Sequence, residues 1–468
     1  MATVSHSEIT RRGFLGAAVA ATAALGATNS GAATRKPNVI FAFSDQHRWQ
    51  SLSFTEQPDL QTPHLARLAS EGLTFSHCIC NYPVCSPYRA IFLTGRWPYQ
   101  QGVIDNNIPL SSEENTIGKV FQSAGYKTSY IGKWHLTEAS RAEPFGFDHS
   151  LIWTGTNTHW DQSKFHPANG EPVQPKGYNA TLMTDQALEF IDANKDVPFF
   201  LALSLNPPHA SFLDPPKEKL ALYPQEGSLK YRANNKETPK GAKKLEGSLG
   251  RNDWATYQGY HAHISAIDDE VGRLLKKLDD LDLTRDTIIV YTSDHGSMQG
   301  SHGLGGKRQP HDESIRVPFI VRYPGVIPAG KTDDALLGTI DLPPTLAGLA
   351  GLPVVSTFAG RDFSPLLRGE AFDRPKSQLI MHIAKNNASG GKEHPAPLFR
   401  GLRSDRFTYA EVLDGDKGGF LFDNVADPFQ LNNLFADPTL AEQRAAFHDD
   451  LFALLKTAKD PLAEPVKA

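Results

Sequence analysis

Five short, nearly continuous apolar runs constrain this 468-residue chain more than any other feature. Asn38-Val39-Ile40-Phe41-Ala42-Phe43 sets the type, and similar runs recur at residues 127–131, 198–205, 287–291 and 317–321. A strand that is apolar on both faces has to be covered on both, which is the mark of a buried parallel strand. Between the runs lie stretches with helical periodicity, at residues 62–71, 181–193 and 255–281. In the last of these, Tyr257, Tyr260, Ile264, Ile267, Val271, Leu274 and Leu278 form one core-facing stripe. Strands alternating with helices predict an α/β fold, a large mostly parallel sheet sandwiched by helices. Ligands in such sheets bind beyond the carboxyl ends of the strands.

That domain is expected over residues 35–372. Residues 373–468 read as a smaller α+β subdomain, with short strands at 378–383, 399–403 and 407–412 and a polar helix at 440–458. Two stretches without periodicity, 224–253 and 385–397, read as long surface loops. Residues 1–33 are a targeting segment: Arg11-Arg12 precede a small-sided Ala/Gly stretch ending near Ala33. That pattern predicts a twin-arginine export signal, with the export machinery as partner and a periplasmic or extracellular destination. The stretch is too short and too weakly apolar for a stable membrane span. This route carries folded proteins, so any chemistry on the chain is completed before crossing.

The formal net charge of −5 argues against nucleic-acid or anionic-membrane binding. An anionic substrate then has to be held by a local cluster of cations. The three cysteines, Cys78, Cys80 and Cys85, lie within eight residues, so no disulfide framework spans the fold. Cys78 and Cys80 read as buried thiols.

Cys85 differs by its surroundings, Cys85-Ser86-Pro87-Tyr88-Arg89-Ala90-Ile91-Phe92-Leu93-Thr94-Gly95-Arg96. Pro87 suits the first turn of a helix. Cys85 then stands at the helix start, where free N–H groups and the helix dipole favour an anion, and Arg89 can point back from one turn along. The spacing Cys85-x-Pro87-x-Arg89 followed by Leu93-Thr94-Gly95-Arg96 resembles the signature of the type I, formylglycine-dependent sulfatases of the alkaline-phosphatase-like superfamily. The resemblance runs over nearly all of the chain beyond residue 33. It implies that a formylglycine-generating or anaerobic sulfatase-maturating enzyme oxidises Cys85 to formylglycine. The hydrated aldehyde then attacks sulfur, leaving a covalent sulfate that is expelled when the second hydroxyl is deprotonated, one hard step split into two. Arg89 is implied to stabilise this residue.

Other elements at the ends of apolar runs fall in the family's order. Asp45-Gln46 follows the first run, and Asp294-His295 follows the run at 287–291. Carboxylates, an amide oxygen and an imidazole suit a divalent cation. The resemblance makes Asp45, Gln46, Asp294 and His295 the metal ligands. Many members carry Asp-Asp and Asp-Asn at these places, so one negative charge is lost here and an imidazole gained. Calcium is the first expectation, with manganese or magnesium as alternatives. Gly132-Lys133-Trp134-His135-Leu136 matches a family element in which Lys133 holds a sulfate oxygen and His135 is the base that collapses the covalent intermediate. Asn206-Pro207-Pro208-His209 places His209 near the leaving oxygen, and Lys307 matches a second sulfate-binding lysine. His209 or Lys307 then donates the leaving-group proton. His302, His311, Asn106 and Asn107 are further candidates for lining the pocket, with structural roles equally open. The stretch from Leu421 to Pro428, with Asn432-Asn433-Leu434, resembles the family's terminal region and carries no chemistry.

Two rivals fit parts of this pattern. A phosphonate monoester or phosphodiester hydrolase of the same superfamily shares the Asp-Gln and Asp-His pairs, but the complete Gly132 to Leu136 element and Lys307 favour sulfate. A non-catalytic protein that binds sulfated glycans would share the scaffold, yet no core position is disabled. The expected substrate is a small-molecule or carbohydrate sulfate ester, its organic part set by loops such as 224–253 and 385–397.

Overall fold

A computed structural model describes residues 35–136, 141–154, 159–161, 164–168, 170–235, 253–384, 396–413 and 418–463. The export signal expected over residues 1–33 and most of the two long loops predicted at 224–253 and 385–397 lie outside the described residues. Among the described residues no helix is long and apolar enough to cross a membrane.

The large sheet has ten strands: β1 (Asn38–Ser44), β2 (Leu73–Ile79), β3 (Lys127–Lys133), β4 (His149–Thr154), β5 (Lys164–Pro167), β6 (Phe199–Ser204), β7 (Thr287–Ser293), β8 (Arg316–Val317), β9 (Phe319–Arg322) and β10 (Lys331–Gly338). Their order is β10-β2-β9-β7-β1-β6-β3-β4-β5, with β8 paired to β2. The pairs β7–β1, β1–β6, β6–β3, β3–β4 and β2–β10 are parallel. β9 runs antiparallel to both β2 and β7, and β5 is an antiparallel edge. The sheet is therefore mixed at its margins and parallel at its centre. Each of the five apolar runs is a strand, although Pro318, which cannot donate to a ladder, separates β8 from β9. Strand β1 shows why the runs are continuous. Its Val39, Phe41 and Phe43 enter one core, and Ile40 and Ala42 enter the core on the opposite face.

The helices that matter here are α1 (Pro63–Glu71), α2 (Cys85–Thr94), α3 (Asn179–Ala193), α4 (Trp254–Asp280) and α5 (Ala441–Ala458). Asp253 caps α4, its carboxylate accepting from the Thr256 N–H at 2.9 Å. A second antiparallel sheet, β11 (Ser377–His382), β12 (Phe399–Ser404), β13 (Phe407–Val412) and β14 (Gly419–Asp423), packs with α5 in the C-terminal region. Its Leu379, Leu402 and Leu421 share a core with Tyr82, Val84 and Ile91. The terminal sheet thus covers the side of α2 that faces away from β1, where Phe92 stacks on Phe41 with ring centroids 4.2 Å apart. All ten residues of α2 are buried. This is an unusual setting for a helix that begins Cys-Ser-Pro-Tyr-Arg, and it fixes the position of Cys85.

Candidate active site

Strands β7, β1, β6 and β3 are consecutive neighbours and mutually parallel, so their carboxyl ends open along one edge. At about 4.8 Å between strands, the four ends span roughly 15 Å. Ser44 is level with Ser293, so Asp45-Gln46 and Asp294-His295 leave the sheet side by side. Gly132 is level with Ser204, which brings Lys133 and the segment from Asn206 to His209 out next to them. At Gly132, φ is 109° and a Cβ would collide with the Ser204 carbonyl oxygen, so only glycine allows β3 to lie this close to β6.

Helix α2 brings Cys85 to the same edge from one face of the sheet. The Asn106 side-chain oxygen accepts from the Ser86 N–H at 3.0 Å. One of the N–H groups expected to be open to an anion at the helix start is therefore already taken by a carboxamide. Ser86 Oγ donates to the His135 carbonyl at 2.6 Å, tying the helix start to the Gly132 to Leu136 element.

Around the buried Cys85, Sγ lies 3.3 Å from His295 Nε2, 3.6 Å from Lys307 Nζ and 3.8 Å from Asp45 Oδ1. Burial and the Asp45 carboxylate push its thiol up, but Lys307, Lys133 and His295 prevail and hold it well below the usual thiol range. Arg89, one turn along, is 1% exposed and bonds through both Nη atoms, while its buried Nε has no partner among the described residues. Its Nη1 donates to the Lys133 carbonyl and to Ser204 Oγ, both at 2.6 Å, and to Tyr130 OH at 3.3 Å. Its Nη2 reaches Asp45 Oδ2 and Asp294 Oδ2, both at 3.2 Å.

That fork sorts the carboxylate oxygens. Both Oδ2 atoms face Arg89, and Lys133 Nζ adds a 2.6 Å contact to Asp45 Oδ2. Both Oδ1 atoms face His295 Nε2, at 3.7 Å from Asp45 and 3.5 Å from Asp294. His295 Nδ1 lies 2.9 Å from the Gly296 carbonyl, so the neutral ring carries its proton there and turns Nε2 toward Cys85 and the carboxylates. Burial, reinforced by Asp45, pushes the Asp294 carboxyl up to about 7. Two buried carboxylates this close favour a cation between them. Asp45, Cys85, Asp294 and His295 offer ligand atoms all within 4.8 Å of one another. Edges of 3.5–3.7 Å match those of an octahedron with bonds near 2.5 Å and exceed the ~2.9 Å edge that a magnesium ion requires. The residues fit a large divalent ion.

Gln46, the fourth expected ligand, has φ 77° and lies beside this group. Its N–H donates to Asp294 Oδ1 at 3.0 Å, its Nε2 donates to Ser297 Oγ at 3.1 Å, and its Oε1 accepts from Lys307 Nζ at 3.1 Å. The amide oxygen is thus directed at the same lysine that approaches Cys85. Burial pulls the His135 imidazole below its ordinary value, against an interaction with Cys85 that favours its protonated form. Burial, then Lys133 and Lys307, pull His209 down to about 3. His209 Nδ1 lies 2.8 Å from the Ala210 carbonyl, which leaves Nε2 as its titrating nitrogen.

The ten residues predicted as catalytic, sulfate-binding or metal-ligating therefore converge on one edge of the sheet. His302 and His311 do not join them. Their rings pair 4.4 Å apart, and His311 packs on Phe420 and Phe422 of the terminal sheet. Sequence reasoning missed Ser204 and Tyr130, which hold Arg89, and Ser297, which holds Gln46. A serine or tyrosine in a buried strand gives no sign of such a role until the strand order is known.

A family model for sulfatases matches residues 37–352, and the model for the C-terminal region of N-sulphoglucosamine sulphohydrolase matches residues 300–457. The chain belongs to the sulfatase family. An ulvan-active sulfatase of Formosa agariphila is 33% identical over 417 residues, covering 86% of this chain and 78% of that protein. An N-acetylglucosamine-6-O-sulfatase of Bacteroides thetaiotaomicron is 28% identical, covering 91% of this chain and 88% of its own length. A solved structure in complex with its substrate D-glucosamine-2-N,6-O-disulfate superposes with a TM-score of 0.81 at 28% identity, covering 91% of this chain and 99% of the other. This sulfatase is accordingly a hydrolase of sulfuric esters.

Proposed function

We propose that this sulfatase removes sulfate from a carbohydrate by nucleophilic displacement at sulfur, with Cys85, oxidised to formylglycine, supplying the nucleophilic hydrated aldehyde. The observation that carries this reading is the place of Cys85 Sγ, between His295 Nε2, Lys307 Nζ and Asp45 Oδ1 at 3.3, 3.6 and 3.8 Å. A nucleophile formed there is surrounded by groups that favour its anion and attract an anionic ester. Asp45, Asp294 and His295 would hold a divalent ion, with Gln46 joining them by turning its amide oxygen away from Lys307. Calcium is foremost and manganese the alternative, magnesium being too small for the edges around His295 Nε2, and the ion would supply Lewis acidity at the site.

The chain's own groups divide the remaining work. Lys133 and Lys307 place ammonium groups on either side of Cys85 and bind sulfate oxygens. Arg89 has no donor left for substrate on its two Nη atoms, so it acts as a positioning residue that fixes both carboxylates. His135, neutral because of its burial, takes the proton whose removal releases sulfate. Burial, and then the charges of Lys133 and Lys307, keep the proton affinity of His209 low. An arriving sulfate anion offsets both lysines and lets His209 hold the proton it passes to the leaving oxygen.

The carbohydrate reading is supported by the relatives, which act on ulvan or on a sulfated hexosamine by their names. Export by the twin-arginine route, with maturation of Cys85 before crossing, is supported by Arg11-Arg12 and the Ala/Gly stretch behind them. Mass spectrometry of the Cys85 peptide from active, exported protein tests the mechanism: conversion to formylglycine lowers its mass by about 18 Da. Full turnover from a preparation whose Cys85 peptide is unmodified would overturn it. A higher kcat/KM for an aryl phosphodiester than for any sulfated sugar or aryl sulfate would overturn the substrate class.

A further inference from the structure

Away from Cys85, a second group of side chains brings two imidazoles and a carboxylate together: His159, Asp214 and His263. They come from separate parts of the chain. His159 precedes α3, and its carbonyl accepts from the Asn179 N–H at 2.7 Å. Asp214 lies in the segment after β6, five residues beyond His209, and His263 is on α4. Both imidazoles are fully buried, and Asp214 is 26% exposed, so the group opens to solvent on the carboxylate side.

We propose that His159, Asp214 and His263 form a second divalent metal site, separate from the one around Asp45, that takes an ion of the zinc class. The spacing suits it. Asp214 Oδ1 lies 2.8 Å from His159 Nδ1 and 3.5 Å from His263 Nε2, and the Ser211 carbonyl oxygen lies 3.1 Å from the same Nε2. A tetrahedron with bonds of ~2.0–2.1 Å has edges of ~3.3–3.4 Å, so adjustments of about half an ångström bring these atoms around one ion.

The surroundings also suit it. His263 Nδ1 is 2.7 Å from Tyr178 OH, so an outer partner holds the ring with Nε2 turned to Asp214. Asp214 Oδ2 accepts from the His159 N–H at 3.0 Å, which leaves Oδ1 to face both imidazoles. Among the described residues, no lysine or arginine pairs with Asp214. Burial and the neighbouring His159 hold His263 at about 4, so at neutral pH it is in the unprotonated form that ligates. Two nitrogen donors and one carboxylate favour a borderline ion over calcium. Such an ion would tie the segment that carries His209 to α4 and to the chain before α3.

Zinc stoichiometry tests this. The protein is dialysed against chelator, loaded with Zn²⁺, desalted and assayed for bound metal, with thermal unfolding followed with and without zinc. Asp294→Asn, which removes a ligand of the other group, should keep the zinc-dependent rise in Tm. His263→Gln should bind one zinc equivalent fewer than the unsubstituted protein and lose that rise. Asp214→Asn, at the more exposed ligand, should do the same and serves if His263→Gln does not fold. Equal zinc content and an equal rise in Tm in whichever of these two variants folds would overturn the proposal.

Discussion

Replacing Arg89 by lysine separates the shape of the guanidinium from its charge. Arg89 makes five hydrogen bonds from two nitrogens, to Tyr130 OH, the Lys133 carbonyl, Ser204 Oγ, Asp45 Oδ2 and Asp294 Oδ2. A lysine ammonium has three donors on one atom, so at least two of these bonds are lost. Bonds involving a charged group contribute about 1.5–3 kcal/mol each, which puts the loss at about 3–6 kcal/mol. The cost of breaking a buried ion pair, about 3–5 kcal/mol, lies in the same range. With an unfolding entropy of about 2.1 cal/mol/K per residue, a chain of this length shifts by roughly 1 °C per kcal/mol, so Tm should fall by about 3–6 °C. Because the carboxylates lose their fixed positions, kcat/KM should fall by at least about 100-fold, the cost of ångström-scale misplacement. Urea unfolding and steady-state kinetics on one preparation measure both. If Arg89→Lys costs less than about 1 kcal/mol and keeps full turnover, charge alone suffices and the fork has no special role.

Gly132→Ala should lower both stability and kcat, because its Cβ meets the Ser204 carbonyl and displaces Lys133; thermal unfolding and kinetics check this. Acid should loosen the terminal sheet. Asp312 is pushed up by burial but held well below the usual carboxylate range by Arg403 on β12. A depressed folded pKa means that this stabilisation is present above an unfolded value of about 4 and is lost as pH falls below it. Arg403→Met should therefore lower the urea midpoint at pH 7 and flatten its fall below pH 4. Chelation should abolish turnover and lower Tm, and calcium should restore turnover together with the part of Tm that belongs to the group around Asp45. Recovery with magnesium but not with calcium would refute the argument from the 3.5 and 3.7 Å edges around His295 Nε2.

The centre of the fold was legible because β1, β6, β7 and β9 are covered on both faces and so carry few polar residues, whereas β3 showed itself only by Tyr130 and Ile131 after the polar Lys127, Thr128 and Ser129. The rest of the sheet was not. β10 begins Lys331-Thr332-Asp333-Asp334 at the sheet edge, where solvent permits any residue, and it shows apolar character only from Ala335 onward. β14 was not predicted as a strand, because Phe420-Leu421-Phe422 is a run of only three apolar residues between Gly419 and Asp423. Cys85, Asp45 and Lys133 were legible because each sits at a recognisable junction of strand or helix with loop. Asn106 was only a candidate pocket residue, and its capping of Ser86 depends on where a distant loop returns. His302 and His311 show the opposite failure. They flank Lys307 in sequence, yet the chain turns them toward Asn234 and Phe422, since neighbours along an irregular segment need not share a face.

A protein with a net charge of −5 repels a sulfate ester at long range, so attraction has to be built locally. Three cations, Arg89, Lys133 and Lys307, meet two carboxylates, Asp45 and Asp294, within hydrogen-bonding chains that end at Cys85. With both carboxylates ionised and Cys85 converted to the uncharged aldehyde hydrate, the excess is a single positive charge before any ion binds, and a divalent ion raises it by two. The family's more usual carboxylate at position 46 would cancel that single charge. Gln46 instead presents a neutral oxygen to Lys307, which accepts a hydrogen bond without cancelling the lysine's charge. At physiological ionic strength such a field reaches only about 8 Å, which is enough to hold a sulfate group and too short to recruit a polymer from afar. Recognition of the sugar then has to come from contacts beyond this cluster, and Gln46→Glu should raise KM for every sulfate ester alike while leaving the preference among sugars unchanged. A change in that preference would mean that position 46 reads the sugar as well as the sulfate.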